Sequence, residues 1–240
     1  MGFFDKKYCD VCGEKIGLLG NRKLEDGNLC KSCASLLSPF TTDRRKTNLS
    51  EIKEHLAYRE ENKAKVSEFN ATRSLGGRTK VILDEDARKF IVTSSSRWQN
   101  DNPDVIDFSQ VTGCETEIKE RKTEIMWKDK EGKDISYNPR RYDIDYDFFT
   151  TIHINSPWFN EILIKINDSR VEHRGSAEYN EMQSQANDIK TTLTQVRQEI
   201  RENITASNTP KMSKVCPLCG ATTIPNASGC CEFCGGAINS

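Results

Sequence analysis

No stretch of about 18 consecutive apolar residues occurs in this 240-residue chain, so a membrane-spanning helix is excluded at the outset. The opening Met1-Gly-Phe-Phe gives way to Asp5-Lys-Lys, too short an apolar segment for a secretory signal, and a cytosolic protein is expected. The Met1-Gly2 start also lacks the Ser or Thr of an acylation signal, because Lys6 stands in its place. Charge of one sign is missing. With 35 Lys+Arg against 36 Asp+Glu the formal net charge is −1, which gives no global attraction to nucleic acid or acidic lipid. Histidine is scarce: His55, His153 and His173 are the full set, and none falls in an H-E-x-x-H or H-x-E pattern. A Walker loop, a dinucleotide fingerprint and a nucleophile elbow are absent too. Together these absences point away from an enzyme.

What the chain has in quantity is cysteine. Eight of its ten cysteines fall in CxxC pairs, which in a reducing compartment hold metal more often than disulfides. Cys9-Asp-Val-Cys12 and Cys30-Lys-Ser-Cys33 are separated by seventeen residues, and Cys216-Pro-Leu-Cys219 and Cys231-Glu-Phe-Cys234 by eleven. Both spacings suit a tetrahedral ion held by four thiolates, so two zinc ions per chain are expected. A redox CxxC is the alternative for the first pair, and two matched pairs fit it less well. Gly13, Gly220 and Gly235 each follow a pair, where the missing side chain lets backbone N–H groups turn toward a sulfur. Asp26-Gly27 carries the residue types of a tight hairpin turn, which would bring Cys30 back to Cys12. Cys114 and Cys230 are left over; Cys230 abuts Cys231, and Cys231 is the one at CxxC spacing from Cys234.

Between the cysteine modules the texture changes several times. Thr41–Lys46 is a basic connector with Arg44, Arg45 and Lys46, read as a solvated linker over a phosphate-binding patch. A helix is expected from Leu49 to about Phe69, capped by Asn48 or Ser50, with a thin apolar stripe of Leu49, Ile52, Leu56, Val66 and Phe69 that Arg59 and Lys63 interrupt. Arg73–Arg78, with Gly76-Gly77, reads as a flexible joint.

Strand texture begins at Lys80. Lys80–Leu83 and Lys89–Thr93 form a hairpin about Asp84-Glu-Asp-Ala, followed by a polar loop over 94–103 that holds Trp98. Further extended pieces are Val105–Phe108, Val111–Lys119, Glu124–Trp127, Asp134–Tyr137, Tyr142–Asn155 and Trp158–Ile166. Ser176 then caps a helix whose stripe is Met182, Ala186, Ile189, Leu193, Val196, Ile200 and Ile204. That stripe suits packing on the sheet, with a homodimeric coiled coil through residues 182–204 as the alternative.

The strings MGFFDKKYCDVCGEKIGLLGNRKLEDGNLCKSC, SPF at 38–40 and HLAYRE at 55–60 resemble a family of uncharacterised bacterial proteins with an N-terminal four-cysteine zinc domain. KVILDEDARKFIV at 80–92, DFSQVTGCE at 107–115 and YDFFTTIHINSPWFNEI at 146–162 resemble the pleckstrin-homology-like sheet that follows in that family, and CPLCG…CEFCG resembles the general bacterial zinc ribbon. The resemblance implies a small split barrel closed by a helix and flanked by zinc modules.

The expected fold is therefore α+β, with a treble-clef or knuckle module at 1–40, a linker and helix at 41–78, a pleckstrin-homology-like sheet with its helix at 79–206, a linker at 207–214 and a zinc ribbon at 215–240. The metal ligands are Cys9, Cys12, Cys30, Cys33, Cys216, Cys219, Cys231 and Cys234, and no catalytic residue is assigned. Four thiolates leave no open position for an activated water, which argues for structural zinc. The acidic turn at Asp84-Glu85-Asp86 argues against phosphoinositide binding by the first sheet hairpin. A non-catalytic adaptor for protein partners is the leading expectation. Nucleic-acid binding is the runner-up, weakened by only nine Lys/Arg against six Asp/Glu in residues 1–46 and two against one from Lys211 onward.

Overall fold

The computed structural model describes residues 6–208, 213–226 and 229–238. The chain divides into two units, Met1–Arg197 and Gln198–Ser240.

The first unit opens on four two-residue strands, β1 (Lys7–Tyr8), β2 (Lys15–Ile16), β3 (Arg22–Lys23) and β4 (Asn28–Leu29), paired β1 with β2 and β3 with β4. Leu24 N–H donates to the Gly27 carbonyl at 2.9 Å, so Asp26-Gly27 does close the expected hairpin. A short helix α1 (Lys31–Ser35) and a 3-10 turn (Arg44–Lys46) lead to the long helix α2 (Leu49–Glu68). Asn48 caps α2 in a full capping box: its side chain takes the Glu51 N–H, and the Glu51 carboxylate takes the Asn48 N–H, each at 2.9 Å.

Helix α2 serves two cores. Near its start, Ile52 is buried with Ile16, Leu24, Leu29 and Leu37 beside the cysteines; near its end, Val66 joins Phe69, Ile82, Ile91, Trp98 and Val105 against the sheet. Arg59 interrupts the apolar stripe as expected, but as a buried residue on the packed face of the helix. His55, Arg59 and Asn62 are all buried, and they meet the Asn102–Asp104 segment and Ser38 in one polar network. Arg59 donates to Asp104 Oδ1 at 2.7 Å and to the Leu36 carbonyl at 3.2 Å. Asn62 spans the Pro103 carbonyl and the Val105 N–H, while the Ser38 hydroxyl reaches Asp104 Oδ2 at 2.8 Å. Asn102 sits at φ 48°, a left-handed conformation that Asn tolerates, and its side chain is held between Arg59 and Asn62. Burial pushes the Asp104 carboxyl up; Arg59 and Ser38 oppose that effect.

Two open antiparallel sheets follow. The first has the order β5 (Arg73–Gly76), β6 (Lys80–Asp84), β7 (Lys89–Thr93), β8 (Ile106–Asp107), with a short helix α3 (Trp98–Asp101) between β7 and β8. The joint expected over 73–78 is thus a strand: Gly76, at φ 89°, and Gly77 turn the chain so that Gly76 pairs with Lys80. The apolar runs of β6 and β7 are continuous because both faces are covered. Ile82 and Ile91 face α2, while Val81, Leu83, Phe90 and Val92 are buried on the opposite face.

The second sheet has the order β11-β10-β9, built from β9 (Val111–Lys128), β10 (Asp134–Ile154) and β11 (Glu161–Lys165). The pieces expected separately at 111–119 and 124–127 are one strand, as are those at 134–137 and 142–155, with a bulge between Ser136 and Arg141 around a cis Asn138–Pro139 bond. Of the two arrangements expected, an antiparallel split barrel or a sheet capped by a helix, no closed barrel is formed among the described residues; the strands divide into separate open sheets of four and three.

Helix α4 (Ala177–Asn208) begins at Ser176, whose hydroxyl accepts from Tyr179 N–H at 3.1 Å. Within the first unit its Tyr179 ring packs edge-on against Tyr146 and Phe148 of β10, and Ala186, Ile189 and Leu193 are buried. Those three are covered by their own chain and do not form a free dimer seam. The side chains of Ile200 and Ile204 lie outside the described residues, as do residues 209–212 of the expected linker at 207–214.

The second unit contains a hairpin of β12 (Lys214–Val215) with β13 (Thr222–Thr223) and a small core of Cys216, Cys231 and Ile238.

Candidate metal centres

The first cluster draws its cysteines from two kinds of backbone. Cys9 and Cys12 flank a tight knuckle in which Gly13 N–H donates to the Cys9 carbonyl at 2.8 Å and Cys9 N–H to the Glu14 carbonyl at 2.9 Å. Gly13 sits at φ 74°, where a Cβ would be strained. Cys30 and Cys33 lie at the start of α1, where Cys30 is the N-cap and its sulfur accepts from Cys33 N–H at 3.3 Å. The β3–β4 hairpin joins the two, and Cys12 Sγ lies 3.7 Å from Cys30 Sγ.

The second cluster uses the knuckle twice. Gly220 N–H donates to the Cys216 carbonyl and Cys216 N–H to that of Ala221, both at 2.9 Å. Gly235 N–H donates to Cys231 at 2.9 Å and Cys231 N–H to Gly236 at 2.8 Å. Both glycines have positive φ, 74° and 72°. Cys216 Sγ is 3.6 Å from Cys234 Sγ, and Cys219 Sγ is 3.7 Å from Cys231 Sγ.

These separations test the fit to a metal. In each cluster all four sulfurs lie within 4.8 Å of one another. A tetrahedron with Zn–S bonds of about 2.3 Å has S–S edges of about 3.8 Å, whereas a disulfide would require about 2.05 Å. The 3.6–3.7 Å contacts match the tetrahedron. The protein thus holds two four-cysteine groups, each with the ligand set and spacing of a zinc site.

Electrostatics makes the same case. Burial pushes the Cys9 thiol up, but the N–H groups of Cys12, Cys30 and Val11 more than reverse it, bringing it down to about 6. Burial and neighbouring thiols push Cys33 strongly up. In the second cluster the Cys219 N–H leads in drawing Cys216 down to about 7, while Cys234 is pushed up to about 12: the Gly236 N–H pulls it down, and Cys219, Cys216, burial and Cys231 outweigh that pull. Four sulfurs this close cannot all ionise unaided; a dication at the centre removes the conflict. Four thiolates also complete a tetrahedral shell, so the chemistry such an ion supplies is cross-linking.

The other groups singled out in the sequence lie elsewhere. Cys230 is outside the second cluster, its N–H held by Asn226 Oδ1 at 2.9 Å and its backbone bridged to Ala237. Cys114 is buried on β9, and burial pushes its thiol up to about 11, the signature of an inert packed cysteine. His55 is buried in the α2 network, whereas His153 faces Glu115 at 3.8 Å.

Sequence reasoning passed over the carboxylates on the outer face of β10. Asp143, Asp145 and Asp147 share that face by the period of two, and the groove they line is closed electrostatically by Arg121, Lys165 and Arg170. Burial pushes the Asp147 carboxyl up, but Lys165 and Arg121 prevail and hold it below the usual range. Each of the three carboxylates is ion-paired, so the row braces the ribbon and offers no unpaired general base.

Residues 7–55, which span the first cluster and the start of α2, match a family described as Domain of unknown function (DUF4428). That match fits an uncharacterised family with an N-terminal four-cysteine module. No curated protein and no solved structure matches the chain.

Proposed function

We propose that the chain is a non-catalytic adaptor whose zinc-stapled modules and central sheets present surfaces to other proteins, with the free end of the β9–β10 ribbon as the principal one. The ribbon carries the argument. β11 pairs only with Phe149–His153, and Val171 bridges at Tyr146, so among the described residues the two strands beyond that point have no third strand beside them. There Ile125, Met126, Trp127, Ile135 and Tyr142 are between 36% and 50% exposed, with Trp127 directly opposite Ile135. A grouping of apolar and aromatic residues on an extended ribbon is the composition of a partner interface. Closed four-thiolate sites, which suit structural metal, support the non-catalytic half of the reading.

Four antiparallel strands, then three, then a helix support a pleckstrin-homology-like arrangement for the middle of the chain. Eight cysteines in CxxC pairs suit a reducing compartment, which supports the bacterial cytosol as the setting of this reading. The runner-up, nucleic-acid binding, draws on Arg44, whose guanidinium lies close enough to Arg22 and Arg45 for their like charges to oppose it. A salt-sensitive gel shift tests that second reading.

The adaptor reading is tested by affinity capture with the zinc-loaded chain, comparing wild type with a Trp127→Ala/Ile135→Ser variant. A partner retained by the wild type and lost by the variant is expected; reproducible absence of protein partners overturns the reading.

A further inference from the structure

We propose that the β2–β3 loop of the first zinc module, Gly17-Leu-Leu-Gly20, is a membrane-docking tip that inserts Leu18 and Leu19 into an anionic lipid surface while Lys6, Lys7 and Lys15 engage the headgroups. The inference stands apart from the adaptor reading, since it concerns another surface and another kind of partner.

The first observation is exposure. Leu18 is 86% and Leu19 is 92% exposed, the highest values of any large hydrophobic residue described. Single exposed leucines are ordinary, but here two adjacent ones stand together at the tip of a turn. The turn is built, because Gly20 N–H donates to the Gly17 carbonyl at 3.0 Å and Arg22 Nη1 to the Leu19 carbonyl at 3.4 Å. Its base is anchored by Ile16, which is buried in the core that contains Cys9, Cys30 and Cys33. Folding therefore holds both side chains in water instead of collapsing them onto that core.

The second observation is charge. Lys6, Lys7 and Lys15 line one open depression together with Ile16, Gly17 and Leu18, which puts the three ammonium stems around the root of the tip. Among the described residues none of these lysines forms an ion pair, unlike Lys46, Lys63 or Lys165 elsewhere. Asp10, of the same module, accepts the Asn28 N–H at 2.6 Å and forms no ion pair with these lysines among the described residues. A chain of near-zero net charge thus carries, among the described residues, a local patch of cations without ion pairs around an apolar point.

This pairing fits a bilayer better than a protein. Two leucines offer about a few hundred Å² of convex surface, whereas a stable protein interface takes roughly 800 Å² from each partner. A bilayer needs no matching pocket. Leucine side chains enter the acyl boundary, and lysine stems lie along it with their charges among anionic phosphates. The acidic β6–β7 turn at Asp84-Glu85-Asp86 makes that hairpin unsuited to the same task, so the attachment point is the zinc module.

The test is co-sedimentation of the zinc-loaded full chain with phosphatidylcholine vesicles, alone or with about one third phosphatidylglycerol, at low and at physiological salt. Salt-sensitive binding to the anionic vesicles alone is expected. Leu18→Ser/Leu19→Ser should weaken it at least about tenfold, and Lys6→Ala/Lys7→Ala/Lys15→Ala about a hundredfold, at about fivefold per lysine. Lys53→Ala on the exposed face of α2 is the control and should change it less than about twofold. Zinc content and circular dichroism should not change, since all the altered side chains are exposed. Wild-type chain that stays in the supernatant at low salt overturns the proposal. So does equal binding to uncharged vesicles, or undiminished binding by the serine variant. If the serine variant loses self-association or a protein complex and not vesicle binding, the loop is a protein contact and the proposal also fails.

Discussion

The guanidinium of Arg59 on α2 and the carboxylate of Asp104, 45 residues later in the chain, meet at 2.7 Å with side-chain exposures of 9% and 0%. This pair ties the helix that rises from the first zinc module to the segment leading into β8. Around it, Ser38 of the module, Asn62 of the helix and Asn102 of the loop spend their polar groups on one another. Desolvating two charges is costly, and here each is compensated by several hydrogen bonds.

Breaking that pair from one side is therefore expected to be severe. Arg59→Ala should cost about 3–5 kcal/mol, because Asp104 is left charged and unpaired in the interior. Arg59→Met with Asp104→Leu should recover most of the loss. Urea unfolding of the three proteins checks this, and equal destabilisation by the single and double variants would show that the charges are not coupled.

His55 gives the fold a pH dependence. Its Nε2 accepts the Ser38 N–H at 3.2 Å and its ring stacks on Trp158 at 4.7 Å, which requires the neutral form. Burial, then the charge of Arg59, pulls its pKa from 6.5 down to about 4. The unfolded state binds the proton more readily, so the stabilisation is complete above about pH 6.5 and is lost as pH falls toward 4. His55→Gln should flatten this slope in denaturation midpoints measured across that window, and an unchanged slope would remove His55 as its cause.

Metal analysis should find two zinc ions per chain. Cys12→Ser and Cys219→Ser should each remove about one, with loss of local structure, while Cys230→Ser should keep both. Gly13→Ala forces a side chain onto a φ of 74° and should cost the first module about 1–2 kcal/mol, read as earlier metal release on titration with a chelator.

The ribbon predicts a separation of binding from stability. Trp127 and Ile135 touch a two-stranded arm beyond the third strand, so Trp127→Ala with Ile135→Ser should shift the unfolding midpoint little, within about 0.5 kcal/mol per site. The same variant should lose the captured partner. A large drop in stability would instead mean that the arm packs against its own chain.

The local grammar of the chain determined much of this. CxxC spacing followed by glycine specifies a knuckle because a few consecutive residues contain both the ligands and the positive-φ turn, and three of the four pairs follow that rule. The Asn48 cap, the Asp26-Gly27 turn and the β6–β7 hairpin were legible for the same reason: each rests on neighbours in sequence. Tertiary structure alone decided the rest. Arg59 looked like a flaw in an apolar stripe because its partner lies 45 residues away. Arg73–Gly76 looked like a joint because a strand of four residues earns its pairing only from β6. The division into two open sheets, the ribbon standing clear of β11 and the two leucines left in water are likewise properties of what packs where, and no local periodicity encodes them.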